Sequence, residues 1–311
     1  MNESVLDWLK GGQGEPPRLG WSFMVDAPLV GMETAWETEN VLAADETGGL
    51  YLLDQSGRIV TLTRRFQDIT AIAWCDTGTA AAVILGDDEL CLLNGQMAEQ
   101  WRTRLHETIL AVALAPYGQH IAISLADGQN IIYDCHRAVV SQFATVRPLS
   151  FLQFLATEPV ILGAAEYGLL CCHALDGSAL WNEKLWSNTG DMSATGDGAT
   201  IYLAGFTYGV QVFDADGTHH GTYVLEGTPN HVSTGFEPRE LFVTTLEKRI
   251  YRLDSAGDVQ WTSLLPDDVH AVHCDPLGGG LVCGFSTGRI LRLEWDRPAM
   301  DRETRPQPKS S

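Results

Sequence analysis

Short apolar runs recur along the chain at an even step, and glycine, aspartate and proline punctuate them. The stretch 109–145 shows the unit. Ile109-Leu110-Ala111-Val112-Ala113-Leu114 is a first run, turned by Pro116-Tyr117-Gly118. His120-Ile121-Ala122-Ile123-Ser124 is a second, turned by Asp127-Gly128. Asn130-Ile131-Ile132-Tyr133 is a third, and a fourth runs from Val139 to Thr145. Runs this short, bounded by turn formers, predict antiparallel strands joined by hairpins. No segment between residues 28 and 296 sustains the 3.6-residue spacing that a helical solenoid requires.

The unit repeats. Trp21, Trp101, Trp181 and Trp261 stand 80 residues apart, and small residues (Thr61, Ser141, Gly221) occupy the 40-residue intermediates. Asp54, Asn94, Asp134, Ala174, Asp214, Asp254 and Glu294 form one column at the 40-residue step. Met32, Ile72, Val112, Leu152, Met192, Val232 and Val272 form another. Four strands in about 40 residues is the sequence sign of a propeller blade, so residues 28–296 predict seven blades of an all-β propeller. The seventh unit lacks a fourth strand. That strand belongs near position 301, and seven steps of 40 back lies Trp21, in Leu19-Gly20-Trp21-Ser22-Phe23-Met24-Val25. The N-terminal strand is therefore expected to fill the outer slot of blade 7, which leaves no open edge between first and last blades. The expected organisation is a short helix and linker at 1–16, the propeller at 17–296, and a disordered tail at 297–311. The helix is expected over residues 3–10, capped by Asn2 and ended by Gly11-Gly12, with Val5, Leu6, Trp8 and Leu9 apolar. It is too short to stand alone, so it packs either on its own ring or on a partner.

The units resemble two propeller families. Asp254-Ser255-Ala256-Gly257-Asp258-Val259-Gln260-Trp261 and Asp176-Gly177-Ser178-Ala179-Leu180-Trp181 resemble the quinoprotein-type (PQQ-like) repeat, in which Asp, a turn Gly and an outer-strand Trp recur. Asp54 with Gly57, and Asp214 with Gly217, keep the turn without the Trp. Val112-Ala113-Leu114-Ala115-Pro116-Tyr117-Gly118, then Asp127-Gly128 and Ile132-Tyr133-Asp134, are similar to a WD repeat. The Gly-His and Trp-Asp dipeptides of that family are missing, apart from Trp295-Asp296 out of register. The resemblance implies the fold and leaves the activity open, because propellers host many functions. The residue types suggest that the Trp column packs between blades and that the Asp column caps the turn from third to fourth strand.

Charge and cysteine content narrow the function. Forty acidic against 20 basic residues give a net charge of −20, which repels phosphate backbones and argues against nucleic-acid binding. No apolar run approaches the ~20 residues of a membrane span, and Met1-Asn2-Glu3-Ser4-Val5-Leu6-Asp7 does not read as a secretory signal. Seven cysteines without such a signal suggest reduced thiols and a cytoplasmic protein. The pair Cys171-Cys172 invites comparison with the vicinal disulfide of quinoprotein dehydrogenases. On a strand, however, adjacent side chains point to opposite faces, so the expectation is two packed thiols.

Catalytic signatures are missing. There is no Gly-x-Ser-x-Gly, His-Glu-x-x-His or Gly-Lys-Ser, and Gly278-Gly279-Gly280 has no lysine after it. An even 40-residue step also leaves turns of few residues from which to build a pocket. Asp191, His231, His270 and His273 fall on first strands, nearest the central channel, where they read either as a polar channel wall or as ligands of a metal or small molecule. No cofactor and no metal is expected. The stronger signal lies on the face made by the turns between second and third strands and the crossings between blades. There, blades 4 and 5 carry Tyr167, Trp186, Phe206 and Tyr208, residue types favoured at interfaces, although rings in such turns can also fold back over a blade rim. Arg64 and Arg65 form a local cationic spot after blade 1, and Trp8 marks the N-terminal helix as a further contact candidate. The sequence thus predicts a non-enzymatic, cytoplasmic scaffold for one or more protein partners. The alternative is a propeller that binds a small molecule or metal in its channel.

Overall fold

The computed structural model describes residues 4–296. Asn2, the side chains of Val5 and Leu6, and the tail expected at 297–311 lie outside the described residues. Seven antiparallel sheets form the seven blades of a β-propeller, with first strands beginning at Leu29, Ile69, Ile109, Phe151, Thr189, Pro229 and Val269. Blade 3 matches the expected unit closely, with strands Ile109–Leu114, His120–Leu125, Gln129–Asp134 and Val139–Ala144. Second and third strands are almost wholly buried, because both of their faces pack against neighbouring blades. Each blade carries a register shift between third and fourth strands. An extra residue there increases the local twist that a propeller sheet needs. All blades but the fourth carry a second shift between first and second strands.

Blade 7 closes as expected. Arg18–Met24 pairs antiparallel with Arg289–Glu294 as the outer strand.

Two contacts explain the periodic residues. The first lies within the turn from third to fourth strand in blades 1 to 6. The Oδ1 of Asp54, Asn94, Asp134, Asp214 and Asp254 accepts the backbone N–H groups two and four residues on. In blade 4, where Ala174 holds the column, Asp176 accepts the Ser178 N–H instead. The second is a joint that runs from the outer strand to the next blade. The indole Nε1 of Trp21 donates to Gln55 O, that of Trp101 to Cys135 O and that of Trp181 to Ala215 O. The ring then lies over a residue at positive φ in that turn: Gly57 under Trp21 and Gly217 under Trp181. In blades 3 and 5 the Trp position is Ser141 or Gly221, and the ring moves two residues on. Phe143 covers Gly177, and Tyr223 covers Gly257 and donates its hydroxyl to Ser255 O. Residues i and i+2 share a strand face, so the joint survives the shift. Blade 1 supplies no ring from Thr61 or Thr63. There the next turn carries Met97 at φ 61°, and its own buried side chain fills the space. The small residues between the tryptophans are thus places where another side chain, Phe143, Tyr223 or Met97, does the packing.

The N-terminal segment departs from expectation in one respect. The helix Ser4–Lys10 is present, but the predicted linker after it contains a strand, Gln13–Gly14, paired with Val259–Leu264 as a fifth strand of blade 6. Gly12 passes so close to Trp261 that a Cβ would stand 2.6 Å from the indole nitrogen. Trp261 is fully buried beneath Trp8 (ring centroids 6.2 Å apart) and Trp295 (5.5 Å), and Ser263 Oγ donates to Trp8 O at 2.6 Å. The helix therefore docks on its own ring. Its backbone continues into Glu15, whose carbonyl accepts Trp295 Nε1–H at 2.9 Å.

Candidate functional site

The face formed by the turns between second and third strands is built on blades 4 and 5 by three segments. The crossing that precedes blade 5 alternates strictly: Leu185 and Ser187 are buried, while Trp186 and Asn188 face solvent. Asn188 makes an antiparallel bridge with Tyr167 of the blade 4 turn, and its carbonyl accepts the N–H of Phe206 of the blade 5 turn at 2.9 Å. Ser187 Oγ accepts the Thr207 N–H at 3.0 Å. The crossing thus ties both turns into one surface. Tyr167, Trp186, Phe206 and Tyr208 are 45%, 65%, 40% and 50% exposed, so none of the four rings is folded away into the rim. Phe206 lies over Gly190, where a Cβ would come within 2.6 Å of its ring. Lys184 Nζ sits 4.0 Å from the centroid of the Trp186 ring, a cation–π contact. In a chain of net charge −20 these segments carry one lysine and one glutamate, Lys184 and Glu166.

The other predicted contact residues lie elsewhere. Arg64 pairs with Asp26, on the crossing before blade 1. Arg65 lines a separate groove of about 330 Å3 with Phe66, Arg102 and Arg104, where Asp68, Asp88 and Glu89 offset the positive charge. Trp8 is half-buried against Trp261 at the outer edge of blade 6. The structure therefore brings together the four aromatics of blades 4 and 5, and neither the arginines nor Trp8 joins them.

The channel candidates have structural partners. Gln153 makes two bonds to the Ala194 backbone on the next first strand, at 2.9 and 3.2 Å. Ser193 Oγ accepts the Thr234 N–H, Ser233 Oγ accepts the Cys274 N–H, and Asp191 Oδ2 accepts the Val232 N–H at 3.0 Å. His273 Nε2 lies 2.8 Å from Met32 O; a carbonyl only accepts, so this nitrogen carries a proton. The polar side chains of blades 4 to 7 thus knit consecutive first strands, including the seam between blades 7 and 1. His231 Nδ1 stands 3.7 Å from Asp191 Oδ2. Burial lowers the pKa of His270 and favours its neutral ring. Among the described residues no group of three or more His, Cys, Asp or Glu is placed to hold a metal ion.

Cys171 and Cys172 are separate free thiols, both buried, and burial pushes them up to about 12 and about 11. Gly278 and Gly279 turn at positive φ between the first two strands of blade 7, and the Gly279 N–H is donated to Glu240 at 2.7 Å. Two buried features escaped the sequence reading. Arg252, 7% exposed, pairs with Glu240 and Glu15 beneath the Trp295 ring. One repeat later, Arg292 pairs with Glu39, Asp275 and Glu294. No helix among the described residues is long and apolar enough to cross a membrane. The chain matches no protein-family model, and a search of curated proteins finds no match for it.

Proposed function

We propose that this propeller is a non-enzymatic scaffold that docks a protein partner on the face of blades 4 and 5. The observation that supports the reading is the cluster of four exposed aromatics on three segments hydrogen-bonded to one another. Exposed Trp and Tyr on a rigid support bind with little loss of side-chain entropy, and such residues carry most of the energy of interfaces. The near-neutral patch lets a partner approach without desolvating the surplus of carboxylates found elsewhere. The expected partner surface is apolar with hydrogen-bonding groups, not strongly charged. Seven free thiols, six of them buried, support a reducing compartment such as the cytoplasm. The Asp-capped turn, the glycine at positive φ and the ring laid over it support kinship with the quinoprotein-type repeat in structure, not in chemistry.

The test is the triple variant Tyr167→Ala, Trp186→Ala, Phe206→Ala, compared with wild type for proteins that co-purify from the native cell. A control variant on the opposite face, Tyr117→Ala with Leu277→Ala, removes rings and methyls of similar exposure. Loss of a stoichiometric partner from the triple variant alone is expected, at unchanged melting temperature. Retention of every partner by the triple variant removes the patch assignment.

A further inference from the structure

The axis of the ring carries a cavity of about 390 Å3 whose wall is unevenly made. Blades 2 and 3 line it with aliphatic groups, Ala71, Leu110 and Val112 among them. At the end made by the turns between first and second strands, Trp36 of blade 1 and Phe236 of blade 6 meet edge to face, centroids 6.4 Å apart. Blade 7 lies between them, so the contact crosses the mouth of the channel. Blade 5 meets it with Gly196, where a Cβ would stand 2.3 Å from Phe236 and 2.7 Å from Trp36. The two rings narrow that end, and the Trp36 indole is part of the lining of the cavity, called the chamber below.

The charges of the chamber do not balance. Glu33, Asp76 and Asp191 line it with His273, and no lysine or arginine does. Asp191 is engaged by the Val232 N–H. His273 donates its Nε2 proton to Met32 O and stands 3.8 Å from Glu33. Burial raises the pKa of Glu33, with Asp191 adding to the effect against the pull of His273. Burial likewise raises Asp76, to about 6, helped by Glu37 and Glu33 against a hydrogen bond from the Trp36 backbone N–H. Two carboxyls, from the adjacent blades 1 and 2, thus line a cavity with an aromatic ring at one end and an aliphatic wall on blades 2 and 3.

We propose that the chamber binds a small organic cation, an aliphatic ammonium compound, with Glu33 and Asp76 as its counter-ions and Trp36 as its aromatic wall. An ammonium group satisfies both acids and lies against the indole face, and its alkyl part suits the alanine and leucine side. The volume falls in the range of small-molecule sites. A bare metal ion suits the geometry less, since the carboxylates are not grouped to coordinate one.

The experiment is calorimetric titration of the full chain with choline and, separately, putrescine, alongside the fluorescence of its tryptophans. One saturable site per chain is expected, weakened tenfold or more by Glu33→Gln and by Asp76→Asn. Affinity should rise from pH 5 to pH 7.5 as Asp76 ionises, with Glu33, Glu37, Asp191, His231 and His273 the other titratable groups nearby. Because the acidic exterior attracts polyamines loosely, Asp216→Asn with Glu237→Gln serves as the surface control and should change nothing. Trp36→Leu should lower choline affinity even if an acid variant folds poorly. No saturable site for either cation in wild type, or binding indifferent to all three chamber variants, overturns the proposal.

Discussion

Gly217→Ala probes the joint between blades 4 and 5. Gly217 turns at φ +80° directly under the Trp181 indole. A methyl group built there stands 2.6 Å from Cε3, 2.9 Å from Cζ3 and 3.0 Å from Cδ2. Carbon atoms pack at about 3.5–4.0 Å, so the ring must retreat by about 1 Å. Retreat stretches the bond from Trp181 Nε1 to Ala215 O, now 2.9 Å. The left-handed φ costs alanine roughly 1 kcal/mol relative to glycine. Overpacking adds about 1 kcal/mol at a ring with room to swing outward, and the weakened hydrogen bond about 1 kcal/mol more. The sum is about 3 kcal/mol, or roughly 6 °C in Tm at about 2 °C per kcal/mol for a chain of this size. Urea unfolding of wild type, Gly217→Ala, Trp181→Ala and the double variant measures the coupling. Without the ring only the φ cost remains, so about 2 kcal/mol of the glycine effect should vanish in the Trp181→Ala background. Additive losses, within about 0.5 kcal/mol, would refute the ring-over-glycine joint.

Met97→Gly in the same column should also destabilise, by about 2 kcal/mol, although it relieves a positive φ. The emptied space beside blade 1 outweighs the backbone gain, and a stabilised variant in thermal melts counts against this reading. Glu240→Ala leaves Arg252 buried with only Glu15 as counter-ion and frees the Gly279 N–H; a loss of about 3 kcal/mol is expected, read from the denaturant midpoint. In native protein at pH 8, iodoacetamide should label Cys135 alone, and all seven thiols in denaturant, as counted by mass. Burial raises the folded pKa of Cys91, Cys171, Cys172 and Cys283, so unfolded thiols ionise first and stability should fall as pH climbs from about 9 toward 12. Asp76, raised to about 6, behaves likewise at lower pH: its contribution is full below its unfolded value near 4 and is lost as pH rises through 6. Asp76→Asn should therefore raise Tm more at pH 7.5 than at pH 5, and equal shifts contradict the assignment.

What the pattern of residues discloses is local or periodic. The strands of blade 3, the Asp caps and the seven-fold count follow from turn chemistry within a single unit, repeated at one step. Closure by residues 18–24 was legible because the missing strand leaves a gap in the same register. The Trp column was visible, but its purpose was half hidden. Ser141 and Gly221 look like pauses in an alternation, whereas Phe143 and Tyr223, two residues on, fill the same joint on the same strand face. Contacts between distant units leave no periodic trace. Gln13–Gly14 pairs with residues about 250 positions away, and Trp295, out of register as a repeat element, is a lid on Trp261 and Arg252. Trp36 and Phe236 sit in ordinary turns of their own blades and meet only because the ring brings turns from non-adjacent blades to one axis. The aromatic patch was legible in position, since turns of blades 4 and 5 hold its rings. That one crossing binds both turns together became visible only in the hydrogen bonds of Asn188.

Several departures from repetition gather in blade 4 and beside it, next to the proposed docking face. Blades 2 and 3 present alanine to the channel at 71, 73, 111 and 113, and the tips of their second turns carry no aromatic ring. Blade 4 loses the aspartate of the cap column and the shift between its first two strands, and its first strand shortens to Phe151–Phe154. From blade 4 onward the first strands exchange side-chain bonds with their neighbours, which hold in register a wall that alanine methyls would otherwise pack. These bonds stiffen the blades that carry Tyr167, Trp186, Phe206 and Tyr208. A rigid support is what an aromatic docking face needs, because every rotamer and loop fixed beforehand is a cost removed from binding. Broken repeat and exposed rings coincide in blades 4 and 5, and cross-strand bonding begins there, as the docking face proposed above would require of its support.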